Sequence, residues 1–339
     1  MSVRINQNEV LDPDLPVIDC HHHLFDCLGE GLAAHIGVSR FLLDDYLAYI
    51  GDSHKVIASV VVEARTMYRA DGPPHLRPAG ETEFLNGQAA MAASGRYGPC
   101  RVAAGIVGYA DLRLGESIKE LLEAHIAAAP ERFKGIRHEG IWDADESILG
   151  GLFDVDESMY FTDEFRQGFA HLAPLGLSFD AFVLSPQLAD IADLARAFPD
   201  TQIIVNHVGS PVGIGVHASC VKEEYPQWER DMGDIAACPN TVVKLGGLGS
   251  SLLGSRFYRS DSPPSVEMLV EEWKPYVERA IELFGPYRCM FESNVPTDGS
   301  GGFNLVCNAY KTMTRSYSAD ERAAIFAGTA ARVYRLNLP

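Results

Sequence analysis

Residues 16–23 read Pro16-Val17-Ile18-Asp19-Cys20-His21-His22-His23, a short apolar run that breaks off in an acid and three imidazoles. Similar runs follow at 57–63 (IASVVVE), 101–107 (RVAAGIV), 133–138 (FKGIRH), 177–183 (LSFDAFV), 202–207 (QIIVNH), 241–246 (TVVKLG) and 288–293 (RCMFES), making eight with the first at 16–21. Several are rich in Val and Ile, as parallel strands covered on both faces are. Helical spacing fills the intervals at 116–128, 186–198, 265–284 and 318–332, and the last opens on a Ser-x-x-Glu capping box at Ser318. This alternation predicts an α/β chain folded as a distorted (β/α)8 barrel, one domain over residues 1–339, with its active site at the C-terminal ends of the strands. A doubly wound open sheet would use fewer strands. No Gly-x-Gly-x-x-Gly follows the first run, and no phosphate-loop motif occurs. The stretches 68–80, 209–225 and 248–264 read as long loops on the active face.

Composition narrows the partners. With 46 Asp+Glu against 28 Lys+Arg and a net charge of −18, the chain repels polyphosphate, so neither nucleic acid nor anionic membrane is expected. The 7 cysteines are odd in number and form no Cys-x-x-Cys pair, which suits a reducing compartment and predicts a cytoplasmic protein. Residues 1–16 lack the apolar stretch of a signal peptide, and no run of about 18 apolar residues exists to span a bilayer. Metabolic barrels often pair, so a homo-oligomer is compatible with the chain.

In a barrel the chemistry sits on strand ends. Alternation puts His21 and His23 on one side and His22 on the other, so His21 and His23 can grip one divalent cation. His207 ends the sixth run and can serve as a third ligand or a base. Glu63 ends the second run and is a candidate ligand or base, with Arg65 near enough for an ion pair. Arg137 can clamp a substrate carboxylate through its planar fork, and His138 can orient a carbonyl or move a proton. Asp180 and Lys244 lie inside otherwise apolar runs, which is costly unless they are paired or used, and both are taken as substrate-binding candidates. Gly246-Gly247 leaves room for a ligand to approach the backbone. Glu292 and Asn294 share a side by parity, with Asp298 four residues on.

Together these residues resemble the amidohydrolase superfamily, in particular its lactonase-like branch. The pieces are Asp19-Cys20-His21-His22-His23, Gly135-Ile136-Arg137-His138, Asn206-His207-Val208-Gly209-Ser210-Pro211, Lys244-Leu245-Gly246-Gly247-Leu248 and Met290-Phe291-Glu292-Ser293-Asn294-Val295-Pro296, in barrel order. The resemblance implies metal-dependent hydrolysis of a carboxylated lactone or ester, with one divalent ion, Zn or Mn, or none. It makes His21, His23 and His207 the ligands, joined by Glu63 or Glu292. The branch with two metals uses a lysine at the end of strand four, whereas Lys134 stands near the start of its run. Related barrels decarboxylate or hydrate unsaturated acids, which leaves that reaction, or an inactive binding variant, as the alternatives.

The chain departs from the family at strand eight, where an Asp serves as ligand or base and this sequence has Asn294. An amide cannot take a proton at neutral pH, so Glu63, Glu292 or Asp298 must do so. Glu63 lies on the strand next to His21 and His23. Glu63→Gln is therefore expected to cost about 10²–10⁴ in turnover, against about tenfold for Asn294→Ala. The reverse order in steady-state rates would make the amide the catalytic group.

Overall fold

The computed structural model describes residues 9–149 and 152–338; residues 1–8, part of the stretch without a signal-peptide pattern, lie outside them. Each of the eight apolar runs holds a strand. They are β1 (Val17–His22), β2 (Val56–Val62), β3 (Arg101–Tyr109), β4 (Phe133–Arg137), β5 (Ser178–Ala181), β6 (Ile203–Val205), β7 (Thr241–Lys244) and β8 (Cys289–Met290). All neighbours are parallel and the sheet order is the chain order, which is a (β/α)8 barrel. Several strands stop short of the apolar runs that contain them, and β8 keeps only two residues, because polar residues there leave the ladder for the mouth.

Helices follow where the spacing placed them, at Ile118–Ala128, Leu188–Ala197 and Val266–Phe284. Ser265 caps the last through Met268 N at 3.3 Å, and Ser318 with Glu321 closes the expected capping box. Two stretches read as loops run into helices instead, at Ala79–Ala93 and Val221–Ala236. Among the described residues no helix is long and apolar enough to cross a membrane.

Strand alternation divides the core in two. Ile18, Cys20, Ala58, Val60, Val62, Val107, Ile204, Val242 and Met290 fill the barrel, and Tyr334 plugs it from the C-terminal helix. The alternate residues Val61, Ile203, Val205 and Val243 face outward to the helices. Inward parity carried one step further along the strands delivers Asn206, Lys244 and Glu292 above the apolar filling.

β1 breaks this rhythm. Its register against β2 shifts between Asp19 and His22, so three steps on β1 match two on β2. The bulge lets Cys20 fill the interior and His21 enter the mouth, although the two are adjacent. It also turns Asp19 toward the gap between β1 and β8, which share no ladder. There Asp19 accepts from Ser293 N (2.8 Å), Ser293 Oγ (2.6 Å) and Tyr46 Oη (3.1 Å). Backbone bonds from Cys20 N to Phe291 O, Asn294 N to His21 O and His23 N to Val295 O complete the closure.

Asp19→Ala strands these three buried donors and should cost about 3–5 kcal/mol of unfolding free energy. Burial raises the Asp19 carboxyl from 3.8 to about 6. Its contribution is therefore full below the unfolded value and declines as pH rises through about 6. The stability gap between the native chain and Asp19→Asn should narrow over that window in urea melts; a constant gap would refute the linkage.

Candidate active site

Four side chains meet at the floor of the mouth. His21 and His23 arrive from the end of β1, while His22 turns outward to stack on Tyr46 at 4.0 Å and bond Ser59 Oγ at 2.8 Å. His207 follows β6 in a tight turn at φ +55°, and Val208 beside it holds φ +46°, a strained value for a β-branched residue. Glu292 lies between the imidazoles, Oε1 at 2.8 Å from His207 Nδ1 and Oε2 at 3.2 Å from His21 Nδ1. Donor atoms of His21, His207 and Glu292 all lie within 4.8 Å of one another.

The double glycine makes this convergence possible. A Cβ on Gly247 (φ +75°) would stand 2.3 Å from His207 Cβ, and one on Gly246 would stand 2.3 Å from Glu292 Cγ. Gly247 also lines the cleft, where its backbone stays open to a ligand, while Gly246 is packed against Glu292.

His23 Nδ1 donates to the carbonyls of Val62 and Glu63, each at 3.0 Å, which leaves a lone pair on Nε2. That nitrogen stands 3.3 Å from His21 Nε2. Two imidazoles sharing a tetrahedral ion at about 2.0–2.1 Å take close to this separation. Burial, then nearby cations, holds His21 well below its ordinary range, and burial takes His23 to about 3, so both stay neutral as ligands must be. Two imidazoles and a carboxylate, with His23 alongside, suit one Zn or Mn ion.

The cations around this floor are already matched. Arg137 Nε bonds Glu63 Oε1 at 2.6 Å and its Nη2 bonds Glu63 O at 3.0 Å. Lys244 Nζ bonds Asp180 Oδ1 at 2.5 Å and approaches His21 Nδ1 at 3.1 Å. Arg65 Nη2 bonds Glu139 Oε2 at 2.5 Å, with its guanidinium over the Tyr109 and Phe153 rings. Burial pushes the Glu63 carboxyl up, but Arg137, Glu139 and Arg65 outweigh it and hold Glu63 below the usual range. Burial and Glu63 together push Glu139 upward.

The sequence candidates therefore divide. His23, Glu63, Arg137, His207 and Asn294 line a cleft above the floor. His21 and Glu292 lie beneath it as the donor pair. The two cations expected to clamp a substrate carboxylate stand apart. Lys244 is buried under His21 and bound to Asp180, Asp180 is filled by Asn206, Lys244 and Tyr334, and neither lines the cleft that Arg137 lines. Glu63 stands outside the ligand group, bound to Arg137. His138 faces the helix layer: Leu112 N bonds its Nδ1 at 3.2 Å, Phe165 lies on its ring, and burial holds it at about 4. Asp298 sits behind Asn294, accepting from Asn294 Nδ2 (2.7 Å) and Gly249 N (3.0 Å) while burial pushes its carboxyl well up.

Two acids escaped the sequence reading. Parity places Glu139 on the side of Arg137, a usable signal. Glu81 accepts Ala64 N at 2.7 Å and Thr66 N at 3.3 Å, shaping the chain after β2 from a distant helix, and no local pattern marks it.

Residues 18–336 match the family model described as Amidohydrolase. The chain is 32% identical over 338 residues to the uncharacterized protein y4mH of Sinorhizobium fredii, covering 95% of this chain and 99% of that one. It is 26% identical to an L-fucono-1,5-lactonase of Burkholderia multivorans, over 95% of this chain and 97% of the relative. Its fold is also that of an amidohydrolase from Burkholderia multivorans solved with bound zinc, at 24% identity, TM-score 0.70, and coverage of 95% and 99%.

Loaded with Zn²⁺, the protein should hold one equivalent by elemental analysis. Glu292→Gln and His207→Ala should each weaken retention at least tenfold, whereas His138→Ala should not. Equal loss in all three would move the ion elsewhere.

Proposed function

Because the chain belongs to the amidohydrolase family, we propose that it hydrolyses a lactone or ester, with His21, His207 and Glu292 holding one divalent ion and Glu63 acting as base. One observation carries this reading: Glu63 lines the cleft beside the ligand group and keeps Oε2 buried without a partner. Among the carboxylates considered as base it alone lines the cleft, since Glu292 is tied between two imidazoles and Asp298 is held behind Asn294. The lactonase relative supports lactone hydrolysis as the reaction, and the zinc-bound neighbour supports a divalent ion.

A bound ion supplies Lewis acidity, polarising the carbonyl and acidifying water. The protein supplies the rest. Glu63 Oε2 takes a proton as the water oxygen attacks the acyl carbon, and Arg137 keeps Oε1 aimed and the group ionised. Asn294, which lines the cleft, gives its Nδ2 to Asp298 and keeps Oδ1 unpartnered. An amide oxygen accepts a hydrogen bond without taking the proton, so Asn294 orients the water that Glu63 deprotonates. When the C–O bond breaks, the proton on Glu63 passes to the departing alkoxide, giving a hydroxy acid.

A decarboxylase that held its substrate carboxylate on a side-chain cation would need a spare one. Of the charged residues lining the cleft, Arg65 and Arg137 are matched by Glu139 and Glu63.

A panel of lactones and simple esters should yield hydroxy acids, with activity lost on chelation and restored by Zn²⁺. Release of CO₂ from an unopened ring, or no turnover across the panel, would overturn the reading. The acid limb of kcat/KM should lie below the ordinary Glu value of 4.5. Arg137→Gln removes the cation that opposes burial, so the limb should move up by about a unit or more; an unmoved limb would exclude Glu63 as the base.

A further inference from the structure

The walls above this polar floor are of a different character. On one side Leu28, Leu32 and Ile36 pack with Phe25 and Ala64, and on the other Phe153, Phe182 and Leu252 pack with Ile141 and Val212. These six line the cleft. Leu32 and Ile36 of the first wall belong to a helix, Glu30–Ile36, none of whose side chains is fully buried. Its end is fastened across the mouth, where His35 O accepts from Tyr258 Oη at 3.2 Å and Arg259 Nη2 at 2.9 Å. The apolar walls are thus held apart as a cleft continuous with the floor.

We propose that the substrate is an uncharged lactone or ester bearing an alkyl or aryl group of several carbons, which lies between these walls while its carbonyl reaches the floor. The inference rests on the hydrolase reading and narrows its substrate class. Two features support it. The two side-chain cations that line the cleft, Arg65 and Arg137, are already matched by Glu139 and Glu63. The six apolar side chains also offer no donor or acceptor to a polyhydroxylated ring, and each hydroxyl buried against them without a partner weakens binding about ten- to hundredfold. An apolar group gains instead, by about three- to fourfold per methylene removed from water.

The test is a series of δ-lactones substituted at the ring carbon bearing oxygen with hydrogen, methyl, propyl, pentyl and heptyl, beside one polyhydroxylated 1,5-lactone, all with the zinc-loaded enzyme. kcat/KM should climb about three- to fourfold per methylene until the cleft is filled, leaving the sugar lactone at least a hundredfold below the pentyl compound. Ile36→Ser and Leu252→Ser should flatten that slope. Calorimetry with the matching cyclic ethers, which cannot react, should show the same chain-length gain in Kd and a negative heat-capacity change. Opening of the lactones without a chain-length gain, or preference for the sugar lactone, overturns the inference and leaves the hydrolase reading standing. Chain-length-dependent ether binding with no lactone opened overturns the hydrolase reading and leaves the apolar site.

Discussion

The Asp19 carboxylate occupies the place where a strand-to-strand ladder would otherwise close the barrel. β8 is two residues long and shares no ladder with β1, so the two ends of the sheet meet through Asp19, the Ser293 hydroxyl and amide, and three backbone bonds. What this junction aligns is the site itself. His21 and His23 follow Asp19 on one side, and Glu292 and Asn294 flank Ser293 on the other. A slip of one residue at the seam would send Glu292 to the wrong face and separate the two imidazoles it spans.

Beneath and beside that seam the protein buries whole ion pairs. Lys244 with Asp180 and Arg137 with Glu63 are removed from water together, and Tyr334 and Asn206 satisfy Asp180 further. Such pairs add little net stability, yet losing one partner leaves an unpaired charge in the interior, which is severe. Their return here is positional. Arg137 fixes Glu63, and Lys244 sits against His21, so two site residues are held by cations that are themselves paired.

Much of this was legible in the chain, for local reasons. Apolar runs and parity are nearest-neighbour properties, and they located eight strands, the outward turn of His22 and the inward turn of Glu292. Parity also made Glu139 findable from Arg137. What stayed hidden depends on partners far apart in sequence. Nothing near Arg137 announces that Glu63, 74 residues earlier, will consume its guanidinium, and nothing near Lys244 announces Asp180, 64 residues away. Both therefore read as free cations for a substrate. Parity bears on His138 as well: next to the inward-facing Arg137 it turns to the helix layer and meets Leu112 N, so one of the two mouth roles read for this pair had to fail. The apolar mouth was illegible too, because 28–36 and 248–253 are loop and short-helix residues whose facing one another depends on the finished barrel.

The matched charges of the cleft also bear on how a reaction ends. Under the proposed chemistry an uncharged ring enters and an anion is left behind. The side-chain cations lining the cleft already have their own counter-charges, so the new carboxylate gains no side-chain partner, and the chain around it carries a formal charge of −18. The same arrangement that leaves an acid unrewarded on the way in favours its departure. Accumulated hydroxy acid would then compete poorly for the cleft, and turnover would be spared the slow release of a tightly held product.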